Sequence, residues 1–139
     1  DESQSKSFIR ESARLLRDGM TDAFFTGLQT LLAGVSYELT GKNSEIYFEN
    51  NLYVICAMLC FNVQTEYHTS DGRIDVLIRT PKYVYIIQLK RDSSPEAALA
   101  QINSKHYASP FRAASRAIVK IRVNFSTASR NLPAWLIES

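Results

Sequence analysis

GRIDVLIRTPKYVYIIQLKR, residues 72–91, is the segment on which the fold turns. Its first eight residues alternate, so that in a strand Ile74, Val76 and Ile78 point one way while Arg73, Asp75 and Leu77 point the other. Thr80, Pro81 and Lys82 read as a turn, and the run Tyr83 to Arg91, rich in β-branched and aromatic residues, reads as a second strand. On that strand Gln88 and Lys90 share a face, and Tyr85, Ile87 and Leu89 take the opposite one. A hairpin closed at the Thr-Pro-Lys turn brings Asp75 near Gln88 and Lys90.

Outward from this hairpin the periodicity extends the sheet and then becomes helical. NVQTEYH before it alternates, and Ser70-Asp71-Gly72 is a turn signal, so a three-strand meander is expected. SPEAALAQINSKHY returns to helical spacing, with Ser94 as cap and Pro95 in the first turn. RAIVKIRVNFS reads as a strand and NLPAWLIES as a shorter one, with Pro133 favouring a sheet edge.

Towards the N-terminus, NSEIYFENNLYVICAMLC reads as a helix that becomes strongly apolar after Asn51, and it is expected to be largely buried. Glu45 falls in its first turn, where the helix dipole favours an anion. SKSFIRESARLLRDG and TDAFFTGLQTLLAG give two further helices, the first stopped at Gly19, the second opened by a Thr cap and closed at Gly34. The expected architecture is α/β, a mixed four- or five-stranded sheet flanked by helices, with extra N-terminal helices.

The hairpin residues have a chemical use together. Magnesium takes hard oxygen ligands in octahedral geometry and keeps several waters, so a carboxylate, an amide oxygen, a backbone carbonyl and a phosphate oxygen can hold it. An adjacent lysine can position an attacking water or steady charge developing on phosphorus. The plainer reading has Asp75 capping a turn and Lys90 as a solvated strand-end charge. What favours the first reading is that both fall on one face of neighbouring strands.

These residues carry a resemblance. GRIDVLI, then YVYIIQLKRD, then AALAQINSKHYASPF, then IVKIRVNFS and a late tryptophan resemble the PD-(D/E)XK nuclease domain at the C-terminus of bacterial AAA-ATPase-like proteins, over roughly Asn43 to Ser139. The resemblance implies a restriction-endonuclease-like core for residues 43–139. Residues 1–42 become a helical connection to a preceding ATPase domain in the same parent chain. Asp75 then stands at the metal-binding aspartate and Lys90 at the catalytic lysine. Gln88 stands where the family usually has Glu, a form similar to the Gln-x-Lys of Mrr-type restriction enzymes. An amide brings no formal charge, so metal should be held more weakly than by two carboxylates.

A further acid of the family comes from the preceding helix. Glu45 matches that position, with Glu49, one turn on, as the alternative. Gln101 and Tyr107 resemble the helix pair that contacts substrate backbone, although a core tyrosine and a surface glutamine would look the same. The implied activity is hydrolysis of DNA phosphodiester bonds with Mg2+ or Mn2+. The rival readings are a nucleic-acid-binding module without cleavage and a regulatory interaction domain of the parent ATPase.

Bulk composition agrees with that range. A chain of 139 residues, 45% hydrophobic, buries one core. No apolar run approaches the roughly 20 residues of a membrane span, so a cytoplasmic domain without a membrane partner is expected. Cys56 and Cys60, four apart in an apolar stretch, read as core thiols, and His68 and His106 as structural or exposed groups. Net charge is +2, yet Asp71 to Arg130 holds eleven Lys/Arg against four Asp/Glu, leaving five against ten elsewhere. A basic half suits a phosphate-bearing partner. Arg73, Arg91, Lys105 and Arg112 join Gln101 and Tyr107 as candidate DNA contacts, and a homodimer stays open.

Overall fold

The computed structural model describes residues 2–33, 53–54, 57–58, 62–70, 72–91, 115–126 and 131–138. Two helices, α1 (Glu2–Arg17) and α2 (Thr21–Ala33), precede five strands, β1 (Asn62–Thr69), β2 (Gly72–Arg79), β3 (Tyr83–Arg91), β4 (Ala117–Ser126) and β5 (Asn131–Glu138). The strands form one mixed sheet in the order β1-β2-β3-β4-β5. The first three are the antiparallel meander that the alternation predicts, β4 runs parallel to β3, and β5 returns antiparallel along the edge. A parallel neighbour needs a long crossover. The one between Arg91 and Ala117 falls mostly on 92–114, outside the described residues, as does the helix expected there from Ser94.

Strands β2 and β3 are apolar on both faces because both faces are covered. One face carries Val76, Ile78, Tyr85, Ile87 and, from β4, Val119, Ile121, Val123 and Phe125, packed against Leu15, Leu16, Phe24, Phe25 and Leu28 of α1 and α2. The N-terminal helices therefore share the core of the sheet. The other face carries Leu77, Val84 and Ile86 with Ile74, and Tyr67 and Ile118 pack against them.

Ile74 departs from the expected alternation, since it joins Leu77 instead of Val76 and Ile78. The reason lies across the ladder. Thr65 pairs with Val76 and Tyr67 with Ile74, but Glu66 between them has φ +52° and drops out of the register opposite Asp75. On β1 that residue marks a change of face, Val63 packing with the Val76 side and Tyr67 with Ile74, and the ladder is interrupted at Asp75 opposite it.

Helix α1 ends where Gly19 takes φ +74°. Its N–H bonds to Leu16 C=O at 3.4 Å and that of Met20 to Leu15 C=O at 2.8 Å, the paired closure of a Schellman turn. A Cβ on Gly19 would lie 2.5 Å from the Tyr83 hydroxyl, so the turn also needs glycine for space. Thr21 is the first residue of α2, not its cap: its hydroxyl donates back to Gly19 C=O at 3.3 Å, and Met20 C=O receives the first helical bond, from Phe24 N–H at 3.2 Å. At the far edge α2 is fixed to β5. Trp135 Nε1 donates to Asp22 at 2.9 Å, and Asn131 Nδ2 to Gln29 C=O at 3.0 Å.

The expectation of a buried helix through residues 51–60 fails where it can be seen. Residues 53, 54, 57 and 58 are helical, but Tyr53, Val54 and Met58 are each about half exposed. Apolar composition shows that a residue can be buried, not that a surface is left to bury it, and folded surfaces are rich in apolar atoms. Cys56 and Cys60 lie outside the described residues.

Candidate active site

The β2–β3 ladder runs from Arg79↔Val84 to Val76↔Ile87. Beyond that pair side chains bridge the strands. The Gln88 amide reaches across to β2, where Nε2 donates to Arg73 C=O at 2.9 Å and Oε1 accepts from Asp75 N–H at 3.3 Å. Since a carbonyl only accepts and an N–H only donates, these partners fix the orientation of the amide. Asp75 returns the contact, its Oδ2 accepting Leu89 N–H at 2.8 Å. The result is a fork with a carboxylate in its throat, and Gln88 is buried within it.

The other carboxylate oxygen, Asp75 Oδ1, lies 3.5 Å from Arg73 Nη2, and Arg73 Nη1 lies 3.2 Å from Glu66 Oε1. Arg73 thus bridges two acids. The Asp75 side chain is 23% exposed, against 69% for Glu66, so Asp75 is the better shielded of the two. These residues border a cleft of about 310 Å³ that Thr65, Leu89 and Tyr53 also line. Lys90, two residues beyond Gln88 on β3, is exposed.

A second charge stands inside the sheet. Arg122 of β4 is the parallel-register neighbour of Gln88 and is 2% exposed. Its Nε and Nη2 are shielded from solvent and have no hydrogen-bond partner among the described residues. Burial pushes its pKa down to about 10, against the opposing pull of Asp75, so it remains a cation at neutral pH.

The structure therefore brings together Arg73, Asp75 and Gln88 at one end of the β2–β3 hairpin, and Lys90 follows Gln88 on β3 without lining the cleft. Arg91 closes β3, and nothing is described of its side chain. Glu45, Glu49, Gln101, Lys105, Tyr107 and Arg112 lie outside the described residues. Sequence reading missed Glu66 and Arg122. Arg122 carried a legible signal, a charge set between Ile121 and Val123 in an apolar strand, the same pattern that singled out Asp75. Glu66 becomes legible only through the register that sets it opposite Asp75.

Residues 43–135 match the family profile of the PD-(D/E)XK nuclease superfamily, over a stretch that includes the whole fork. The chain belongs to the PD-(D/E)XK nuclease superfamily. It is also 33% identical over 143 residues to the "Uncharacterized protein in vnfD 5'region" of Azotobacter chroococcum mcd 1, an alignment covering 96% of this chain and 28% of that protein. The chain thus spans little more than a quarter of that relative's length. No solved structure matches it. The mixed five-stranded sheet with its helices is the restriction-endonuclease-like α/β fold that membership implies.

PD-(D/E)XK nucleases generally use divalent metals, and the described donors fit such an ion in part. Asp75 offers a carboxylate at the cleft and Gln88 Oε1 keeps one lone pair beyond its bond to Asp75 N–H. Among the described residues no group of three His, Cys, Asp or Glu gathers to hold a metal. A magnesium-type ion, which retains waters and takes phosphate oxygens, needs no such cage. No helix among the described residues is long and apolar enough to cross a membrane.

Proposed function

We propose that this domain hydrolyses DNA phosphodiester bonds with a divalent metal, Mg2+ or Mn2+, at the Asp75–Gln88–Lys90 fork. The observation that carries the reading is the Asp75 carboxylate pinned to Leu89 N–H at the edge of a cleft, with Lys90 next on the same strand. Asp75, with Glu45 or Glu49, would hold the metal. Bound there, it would polarise a phosphate oxygen and lower the proton affinity of a water. Gln88 fixes the spacing of the two strands, so that Asp75 and Lys90 keep their separation. The Lys90 ammonium donates to a phosphate oxygen, stabilising the charge that builds as water adds to phosphorus and the leaving oxygen departs. The domain would act in the cytoplasm, beside an ATPase domain of the same parent chain.

One observation favours a second reading, a nucleic-acid-binding module without cleavage. Arg73 occupies the mouth of the fork between Asp75 and Glu66, where a metal would compete with it. Nicking of supercoiled plasmid with Mg2+ or Mn2+ separates the two. Wild type is expected to nick, and Asp75→Asn and Lys90→Ala to abolish nicking with melting temperatures near wild type. Lys90→Ala, at an exposed position, should shift stability by no more than about 0.5 kcal/mol, and Asp75→Asn, which keeps an oxygen to accept Leu89 N–H, by about 1 kcal/mol. A silent wild type at high protein and metal would hand the site to the binding module.

A further inference from the structure

Arg122 is a charge that the chemistry above does not use. It sits within the sheet beside Gln88, with Nε and Nη2 sealed from solvent and unbonded among the described residues. On its own strand the neighbours sharing its face are Lys120 and Asn124, neither of them an anion, and Lys120 is ion-paired with Glu138 at 3.3 Å. The acid whose field reaches it, Asp75, already accepts Leu89 N–H and faces Arg73. A buried cation left without a bonded partner lowers stability, and such a group in a native fold calls for a reason.

Gln88 supplies part of that reason. A carboxylate at this position would stand beside the guanidinium and neutralise it, whereas the amide, tied to the backbone of β2, leaves the positive charge uncompensated. With Arg73 and Lys90 against Asp75 and Glu66, Arg122 gives the described site one more cation than anions. In a dry interior such a charge is weakly screened.

We propose that Arg122 is a buried electrostatic anchor for a phosphate group, holding a positive charge behind the Asp75–Gln88 fork that draws a backbone phosphate onto it. It acts as a positioning residue through the fork, without entering the cleft. The inference rests on the reading that this site receives nucleic acid, and inorganic phosphate supplies a probe that does not depend on DNA.

The test uses the whole chain in EDTA and compares wild type, Arg122→Met and Arg122→Lys. Melting temperature is measured in phosphate and in chloride at equal ionic strength, and affinity for a labelled DNA duplex by anisotropy at low salt. Phosphate is expected to raise the wild-type melting temperature. Arg122→Met, apolar and of similar length, should melt at or above wild type in chloride, lack the phosphate-induced rise and bind duplex about tenfold more weakly. Arg122→Lys, which keeps the charge, should keep the rise.

Absence of a phosphate response in wild type overturns the anchor. So does an equal response in Arg122→Met, which would mean an adventitious ion only. A lower melting temperature or loss of folding in Arg122→Met also overturns it, because the guanidinium would then be a structural group. Failure of duplex binding alone, with the phosphate contrast intact, removes DNA as the source of the phosphate and leaves the anchor standing.

Discussion

Gln88 meets its surroundings with one donor and one acceptor, which is what an amide has and a carboxylate lacks. Nε2 serves a carbonyl and Oε1 an N–H, both on β2, at a buried position where unsatisfied backbone groups are costly. Its departure from the family's usual glutamate therefore has a local cause, besides any effect on metal affinity. Gln88→Met removes both bonds and should lower stability by about 2 kcal/mol in urea unfolding, since each of the two part-buried hydrogen bonds is worth about 1 kcal/mol. Gln88→Glu keeps the acceptor for Asp75 N–H, loses the donor to Arg73 C=O and gains Arg122 as a neighbour, so its loss should be about half that. If glutamate proves as damaging as methionine, the amide bridge is not what holds the fork together.

At the level of elements, the joint between α1 and β3 depends on Tyr85, which is fully buried and donates from its hydroxyl to Leu16 C=O at 2.5 Å. Burial, with smaller contributions from Tyr83 and Asp18, pushes its pKa well above the ordinary tyrosine value. A phenol whose pKa is raised on folding contributes stability that is complete below the unfolded value, about 10, and lost as pH rises above it. Wild type should therefore lose stability above about pH 10 more steeply than Tyr85→Phe, while at pH 7 the variant should be about 1 kcal/mol the weaker for its lost hydrogen bond. Parallel pH-jump melts would show the two curves converging. That this tyrosine faces away from Gln88 was legible, because β3 keeps strict alternation along Tyr85, Ile87 and Leu89. The placement of Ile74 was not, because alternation assumes an unbroken pleat and the β1–β2 ladder is interrupted at Glu66 and Asp75. The exposure of Tyr53, Val54 and Met58 was equally hidden, since a local apolar run carries no record of how much surface the sheet has left to cover.

For the molecule as a whole, the uneven charge distribution would suit the phosphate-bearing partner proposed above, and ion pairing separates two of its cations. Arg73, a candidate contact by sequence, is already engaged by Glu66 and Asp75, so its charge is partly compensated before any ligand arrives. Lys90 is exposed on the same hairpin. On B-DNA each neutralised phosphate contributes about −0.9 to the slope of log affinity against log salt. With Lys90, Arg91, Lys105 and Arg112 as the remaining candidates, a slope of roughly −3.6 is expected. Lys90→Ala should flatten it by about 0.9. Arg73→Ala should leave the slope nearly unchanged, because removing this arginine also frees Asp75 and Glu66 from their partner. Anisotropy titrations across a salt series, without divalent metal, measure all three proteins. A flat wild-type slope would mean that the basic half is ordinary solvated surface, and would favour an interaction domain. Equal flattening by Arg73→Ala and Lys90→Ala would mean instead that the Arg73 bridge opens when DNA arrives, giving both cations to the backbone.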